Sequence, residues 1–243
     1  MSFGLSRGRT LDPSPIAVTP AELPPLPDDA ARRPEAGRVD VHAWFGPERR
    51  GLPLEIEIGS GKGTFLVREA ARRPETNFLG VEWAGEFFLY AADRVRRAGL
   101  GNVRMLRTDA TEFIRWRVPE ARVRVIHLYF SDPWPKRRHH KNRVVQDAFL
   151  AEAHRVLEPG GELRLVTDHD ELWAWYQDHF ARWAPPAGPG APGPGTAPAP
   201  FELRPFEAPP GTGEEGELVG TNFERKFRRE GRTFHAAVLR KPG

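Results

Sequence analysis

The chain has no cysteine. That absence removes disulfides, cysteine-ligated zinc, iron–sulfur clusters and thiol nucleophiles together. Lysine is scarce as well. It stands only at positions 62, 136, 141, 226 and 241, so arginine supplies nearly all of the 36 basic residues, a bias that reads as GC-rich coding and identifies no partner. No apolar run approaches the roughly 20 residues a bilayer-crossing helix needs. Residues 1–10 carry Arg7 and Arg9 without the apolar segment of a secretory signal. A cytoplasmic protein without a membrane partner is therefore expected. A marked surplus of either charge is missing too. The 36 Lys+Arg face 33 Asp+Glu, a formal net charge of +3, which means little until the charges are located. What remains is 243 residues, 39% hydrophobic and 28% charged, enough to bury a sizeable core.

Two stretches break the pattern. Residues 1–38 hold seven prolines and no periodic apolar spacing, which predicts an extended or partly disordered arm. Residues 185–200 read PPAGPGAPGPGTAPAP, which excludes helix and central strand and predicts a poorly ordered linker or insertion. Between them, residues 39–184 alternate strand and helix signals. Strands are expected at 54–58, 77–82, 103–106, 123–130 and 162–167, with helices at 62–73, 84–98, 110–116, 144–157 and 172–183. Five such units in series predict an α/β fold with a doubly wound, mostly parallel sheet. In residues 201–243, short strands at 201–206, 218–223 and 234–239 are expected to complete it with an antiparallel edge hairpin. The aromatic stripe Trp173, Tyr176, Phe180 and Trp183 reads as core packing rather than a base-stacking platform.

The chemistry-bearing residues cluster at the predicted strand ends. The first turn reads Glu57-Ile58-Gly59-Ser60-Gly61-Lys62-Gly63, a G-x-G-x-G spacing unlike the G-x-G-x-x-G of dinucleotide folds. Its glycines let the backbone approach a ligand closely. A carboxylate ahead of the first glycine would repel a pyrophosphate but suits an ammonium group. Glu82 ends the second strand, where an acid binds ribose hydroxyls in doubly wound sheets. Asp109, followed by Ala110, ends the third and can reach an adenine edge. Acids at three successive strand ends fit a nucleoside carrying an amino acid, namely S-adenosylmethionine. A rigid loop, Ser131-Asp132-Pro133-Trp134-Pro135, then follows the most apolar strand and turns Asp132 toward the same crevice. Residues 136–143 carry five permanent positive charges, two histidines and no acid. Such a run ordinarily solvates a surface; beside a crevice it reads as a phosphate-binding strip. No metal is expected, because His139 and His140 lack cysteine or acidic neighbours.

The block from Asp132 to Lys141, DPWPKRRHHK, resembles the signature of bacterial transfer-RNA (guanine-N7) methyltransferases. The likeness extends to the glycine loop, Asp109-Ala110, Thr167-Asp168 and Thr221-Asn222-Phe223-Glu224-Arg225-Lys226-Phe227. It implies a class I methyltransferase (Rossmann-like) fold and methylation of guanine 46 in the variable loop of transfer RNA. Residue by residue, it implies that Glu57, Gly59, Gly61, Gly63, Glu82, Asp109, Ala110 and Asp132 hold S-adenosylmethionine, with Asp132 also catalytic. It implies substrate contacts from Lys136, Asp168, Thr221, Asn222, Phe223 and Glu224. Arg138, His139, His140, Lys141, Asn142 and Arg143 would touch RNA. A helix cap at Asp168 or Asp170 is a competing expectation for that segment. A methyltransferase acting on another RNA, a protein or a small molecule is the alternative function, with a non-catalytic RNA-binding protein behind it. Monomer and homodimer stay open.

Overall fold

The structure, a computed structural model, describes residues 5, 8–185, 199–209 and 217–243. The expected insertion at 185–200 falls almost wholly outside the described residues. Among the described residues, seven strands form one sheet in the order β3-β2-β1-β4-β5-β7-β6. They are β1 (Leu54–Ile58), β2 (Asn77–Val81), β3 (Val103–Leu106), β4 (Val123–Tyr129), β5 (Leu157–Thr167), β6 (Glu202–Arg204) and β7 (His235–Arg240). β1 to β5 are mutually parallel; β7 runs antiparallel to β5, and β6 to β7. Six α-helices among the described residues accompany them: α1 (Thr64–Arg72), α2 (Gly85–Arg97), α3 (Ala110–Trp116), α4 (Asp147–Val156), α5 (Asp170–Trp183) and α6 (Asn222–Arg229).

Strand periodicity divides the core. Successive side chains on a strand face opposite ways, so Leu54, Ile56 and Ile58 of β1 join Ile126 and Leu128 of β4 in the larger apolar cluster. Leu150 of α4 and Tyr176 and Phe180 of α5 pack into the same cluster, which places the aromatic stripe of α5 in the core. Each such fully buried Leu or Ile contributes about 1.5–3 kcal/mol. The alternating positions Glu55, Glu57, His127 and Tyr129 turn to the opposite face, where α1 lays Phe65 against Tyr129. The order of strands reverses between β1 and β4, and a doubly wound sheet opens its ligand crevice at that point.

Two expectations are corrected and one is completed. The N-terminal arm, expected to be extended or partly disordered, is docked: Met105 donates its amide to the Ile16 carbonyl at 2.9 Å, and Val18 donates to the Met105 carbonyl at 2.8 Å. Arg104 of β3 pairs with Glu22 at 2.7 Å, so the arm covers the sheet edge through single anchors that leave no periodic trace in sequence. Leu157, expected to end a helix, already pairs with Val123 as the first residue of β5. Residues 218–223 form no strand, because Thr221 caps α6 through its hydroxyl, which accepts from the Glu224 amide at 3.1 Å.

Candidate active site

A cavity of about 970 Å³ opens over the carboxyl ends of β1 to β4. Glu82, Asp109 and Asp132 line it, with Gly59, Gly61 and Ala110. A smaller cavity of about 220 Å³ adjoins it and contains Glu57, Ser60, Thr221 and Asn222 in its wall. Phe87, Tyr129, Phe130 and Phe223 border both. Four acids spread over 76 positions of sequence thus converge because parallel strands end on one edge.

The glycine loop leaves β1 with Gly59, Gly61 and Gly63 at φ values of 74°, 52° and 65°, a region costly for other residues. Gly63 lies outside both cavity walls. A Cβ on it would stand 3.0 Å from the Cβ of Ala91, so it serves close packing of α1 against α2. Glu82 accepts from the Gly61 amide at 2.8 Å and, through its other oxygen, from the Ala84 amide at 2.9 Å. Asp109 is both a wall residue and the cap of α3, its Oδ1 accepting from the Thr111 and Glu112 amides at 2.8 and 3.1 Å.

Glu57 differs. Its carboxylate is 5% exposed, and Oε2 has no hydrogen-bond partner among the described residues. Burial, reinforced by the neighbouring Glu82 charge, pushes its carboxyl well above the usual range, and Ser60 and Arg68 offset only part of this. A buried, unpartnered carboxylate oxygen calls for a cation, and an amino acid's ammonium supplies one. Acceptors at Glu82 and Asp109 with an aromatic wall suit the rest of an adenosyl amino acid, so the residues present fit S-adenosylmethionine.

The loop after β4 carries Asp132 between two left-handed residues, Phe130 at φ 54° and Trp134 at φ 42°. Asp132 is exposed to the larger cavity and accepts no hydrogen bond from the described residues. Arg143 underpins this loop. Its Nε donates to the Pro133 carbonyl at 2.9 Å, Nη2 donates to Glu171 at 2.6 Å, and the guanidinium lies 5.1 Å from the Trp175 ring centre. The expected RNA contact at Arg143 is therefore corrected: its side chain is 1% exposed and spent on the loop. The rest of the strip, a 3₁₀ turn over Arg137–Asn142, presents Arg138, Lys141 and Asn142 to solvent. His139 sits edge-on to Trp134 and His140 edge-on to Trp175, both half-buried. Lys136 is exposed just outside the cavities.

The C-terminal segment is divided. Asn222 and Phe223 reach the cavities, Phe223 being 47% exposed over Gly61. Glu224 does not. It is fully buried, accepting from the amides of Leu218, Val219 and Gly220 at 2.5, 2.8 and 2.7 Å and from Arg228 at 2.9 Å. Its carboxylate is saturated, so the expected substrate contact is replaced by an anchor for α6. Asp168 lies outside both cavities and pairs with Arg232 at 2.6 Å. Neither Asp168 nor Asp170 caps α5; His169 does, its Nδ1 accepting from the Leu172 amide at 3.3 Å.

Sequence reading overlooked Tyr129, Trp83 and Phe87. Tyr129 lines both cavities and is held from behind. Its hydroxyl donates to His127 Nδ1 at 2.7 Å, and His127 Nε2 donates to Glu55 at 2.8 Å. Burial alone would raise Glu55, but His127 and Arg73 outweigh it and hold its carboxyl at about 2. Burial also lowers His127, which fixes the direction of both hydrogen bonds. Polar residues at alternate positions in the most apolar strand were the available signal. Trp83, 72% exposed on the cavity wall directly after Glu82, gave only its position as a hint. Among the described residues, no cluster of His, Asp and Glu is placed to hold a metal ion, and no helix is long and apolar enough to cross a membrane.

A seven-stranded sheet of this order, with acids at the carboxyl ends of its parallel strands around a glycine loop, defines the class I methyltransferase fold. Solved structures agree on the fold. The 16S rRNA (adenine(1408)-N(1))-methyltransferase from Catenulisporales acidiphilia, solved with its cosubstrate SAM, superposes with a TM-score of 0.54 at 14% identity, covering 83% of this chain and 92% of that one. An antibiotic-resistance methyltransferase gives 0.52 at 21% identity, covering 84% and 93%. The family described as "Putative methyltransferase" matches residues 52–184. The tRNA (guanine-N(7)-)-methyltransferase of Halorhodospira halophila is 36% identical over 214 residues, 85% of this chain and 81% of that one. Its counterpart in Agrobacterium fabrum is 33% identical over 231 residues, 95% and 90%. The chain belongs to the tRNA (guanine-N(7)-)-methyltransferase family.

Proposed function

We propose that this protein transfers a methyl group from S-adenosylmethionine to N7 of guanine in transfer RNA, at position 46 of the variable loop. The observation that carries the reading is the convergence of Glu57, Glu82, Asp109 and Asp132 on two joined cavities, with one carboxylate oxygen of Glu57 left for a cation. Family membership adds the substrate. When bound, S-adenosylmethionine supplies an electrophilic methyl on a sulfonium.

Glu57 holds the ammonium of that group, Glu82 its ribose and Asp109 the edge of its adenine. Guanine N7 has a lone pair and no proton, so the protein need not supply a base at the nucleophile; its work is orientation. Asp132 can accept from guanine N1–H and N2–H, which selects guanine over adenine. Its charge also favours the cationic ring that methylation creates. Asp168 already neutralises Arg232, so Asp132 is the acid free for this task. The exposed Arg138 and Lys141 bind phosphates beside the cavity, and Asn222 with Phe223 meets the incoming nucleotide.

Incubation with radiolabelled S-adenosylmethionine and unmodified transfer RNA, followed by mapping of the labelled base, tests the proposal. Label at N7 of guanine 46 is expected. Label on another base or position, or on protein alone, overturns it.

A further inference from the structure

Asp132 takes no hydrogen bond from the described residues, so its backbone places it. That backbone is unusual. Phe130, two residues upstream, occupies the left-handed region at φ 54°, where a bulky side chain persists only if its environment holds it. The Phe130 amide donates to the Val166 carbonyl at 2.8 Å, continuing the sheet for one more residue. Its ring meets two others: Phe234 at 5.7 Å, edge to face, and Phe227 of α6 at 5.8 Å.

Those two rings are themselves clamped by cations. The Arg228 guanidinium lies 5.2 Å from the Phe234 ring centre and is bonded to the buried Glu224. The Arg232 guanidinium lies 4.3 Å from Phe227 and is paired with Asp168. A chain of contacts thus runs from the carboxylates of Glu224 and Asp168, through two arginines and three phenylalanines, to the backbone beside Asp132. Glu224, Arg228, Arg232, Phe227 and Phe234 lie beyond 184, outside the segment matched by the family description, and Asp168 lies within it.

Resting on the function proposed above, we infer that Phe130 is a positioning residue, held by Phe227 and Phe234 so that the loop presents Asp132 to the larger cavity. Phe227 and Phe234 line neither cavity, so loosening them acts on turnover and leaves cofactor binding intact. α6 also carries exposed basic residues, so the same stack joins the RNA-facing surface to the catalytic loop.

The experiment uses Phe227→Leu with Phe234→Leu, which keep apolar bulk and remove the ring contacts. The expected result is a loss in kcat on the order of 10²-fold, as misplacement of about 1 Å produces, with calorimetric affinity for S-adenosylmethionine within about twofold of wild type. Phe227→Tyr with Phe234→Tyr restores the rate. In an Asp132→Asn background, measured in single turnover, the leucine pair costs less than about a further twofold, because the residue it positions is already impaired. Losses that multiply in that background, or cofactor affinity falling in step with kcat, overturn the inference. Should the leucine pair fail to fold by circular dichroism, Phe227→Leu or Phe234→Leu alone, each outside both cavity walls, must show the same split between rate and affinity. Failure of the wild-type protein to methylate transfer RNA would instead overturn the functional reading itself.

Discussion

The amide of Gly61 donates to Oε2 of Glu82 at 2.8 Å, tying the loop after β1 to the end of β2. The other oxygen of Glu82 receives the Ala84 amide at 2.9 Å, so one carboxylate fixes the turns entering α1 and α2. An acid expected to bind a ribose is thus also the brace of the glycine loop. Glu82→Ala leaves two amide donors without their acceptor and costs about 1–3 kcal/mol of stability. Affinity for S-adenosylmethionine falls by about tenfold or more for the loss of charged hydrogen bonds. Chemical denaturation and calorimetry measure the two; intact stability with lost affinity would deny the bracing role.

Glu57 carries the opposite balance. Its carboxyl is raised in the folded chain, so folding favours the protonated form, and the associated stability is full below the unfolded value of 4.5 and lost as pH rises through the folded one. Glu57→Gln removes that loss and is expected to raise the stability of the ligand-free protein near pH 8 by about 0.5–2 kcal/mol. The same change weakens S-adenosylmethionine by about tenfold or more. For the wild type, affinity falls as pH drops below the folded pKa, because the ammonium needs the ionised carboxylate. Thermal melts and calorimetry across pH check both; a destabilised variant would contradict the placement of an unpartnered carboxylate there.

Asp132→Ala is expected to abolish turnover and leave transfer-RNA affinity within a few-fold, since one exposed acid adds no phosphate contact. Filter binding beside initial rates decides it. A large loss of affinity would make Asp132 chiefly a docking residue.

Arg138 and Arg143, five positions apart, are expected to respond differently. Arg138→Ala with Lys141→Ala flattens the salt dependence of RNA binding by about 0.7–0.9 log units per log unit of salt for each phosphate contact removed, without changing the melting temperature. Arg143→Ala lowers the melting temperature, because the Pro133 carbonyl and Glu171 lose a buried donor, at a cost of about 1–3 kcal/mol. An unchanged salt slope in the first variant, or unchanged stability in the second, would reverse these assignments.

Glu224→Ala should detach α6, for three amides and Arg228 converge on its carboxylate. Protease susceptibility of residues 217–243 is expected to rise while the N-terminal part of the sheet stays protected, and limited proteolysis reads this directly. An unaltered digestion pattern would mean the nest is dispensable.

Much of the fold was legible because its signals are local. β1 reads LEIEI and ends in glycines, α3 begins after a capping Asp109, and β4, VRVIHLY, is mostly apolar and buried as an inner parallel strand should be. Residues 218–223 misled because β-rich composition competed with a Thr-x-x-Glu capping pattern, and capping won once Glu224 found three amides. Leu157 began a strand because its partner is Val123, distant in sequence. The arm's anchors at Ile16, Val18 and Glu22 are equally nonlocal.

Sequence alone determined the parallel α/β order, the acids at successive strand ends and the basic strip, because each depends on spacing within one segment. Only the tertiary structure decided which of those charges are free. Arg143 and Glu224 look like ligands in sequence and are consumed as buried supports, Asp168 is neutralised by Arg232, and Glu57 keeps an oxygen without a partner among the described residues. Whether a charged group serves the fold or a ligand depends on what packs against it, and those neighbours come from strands and helices far away in the chain.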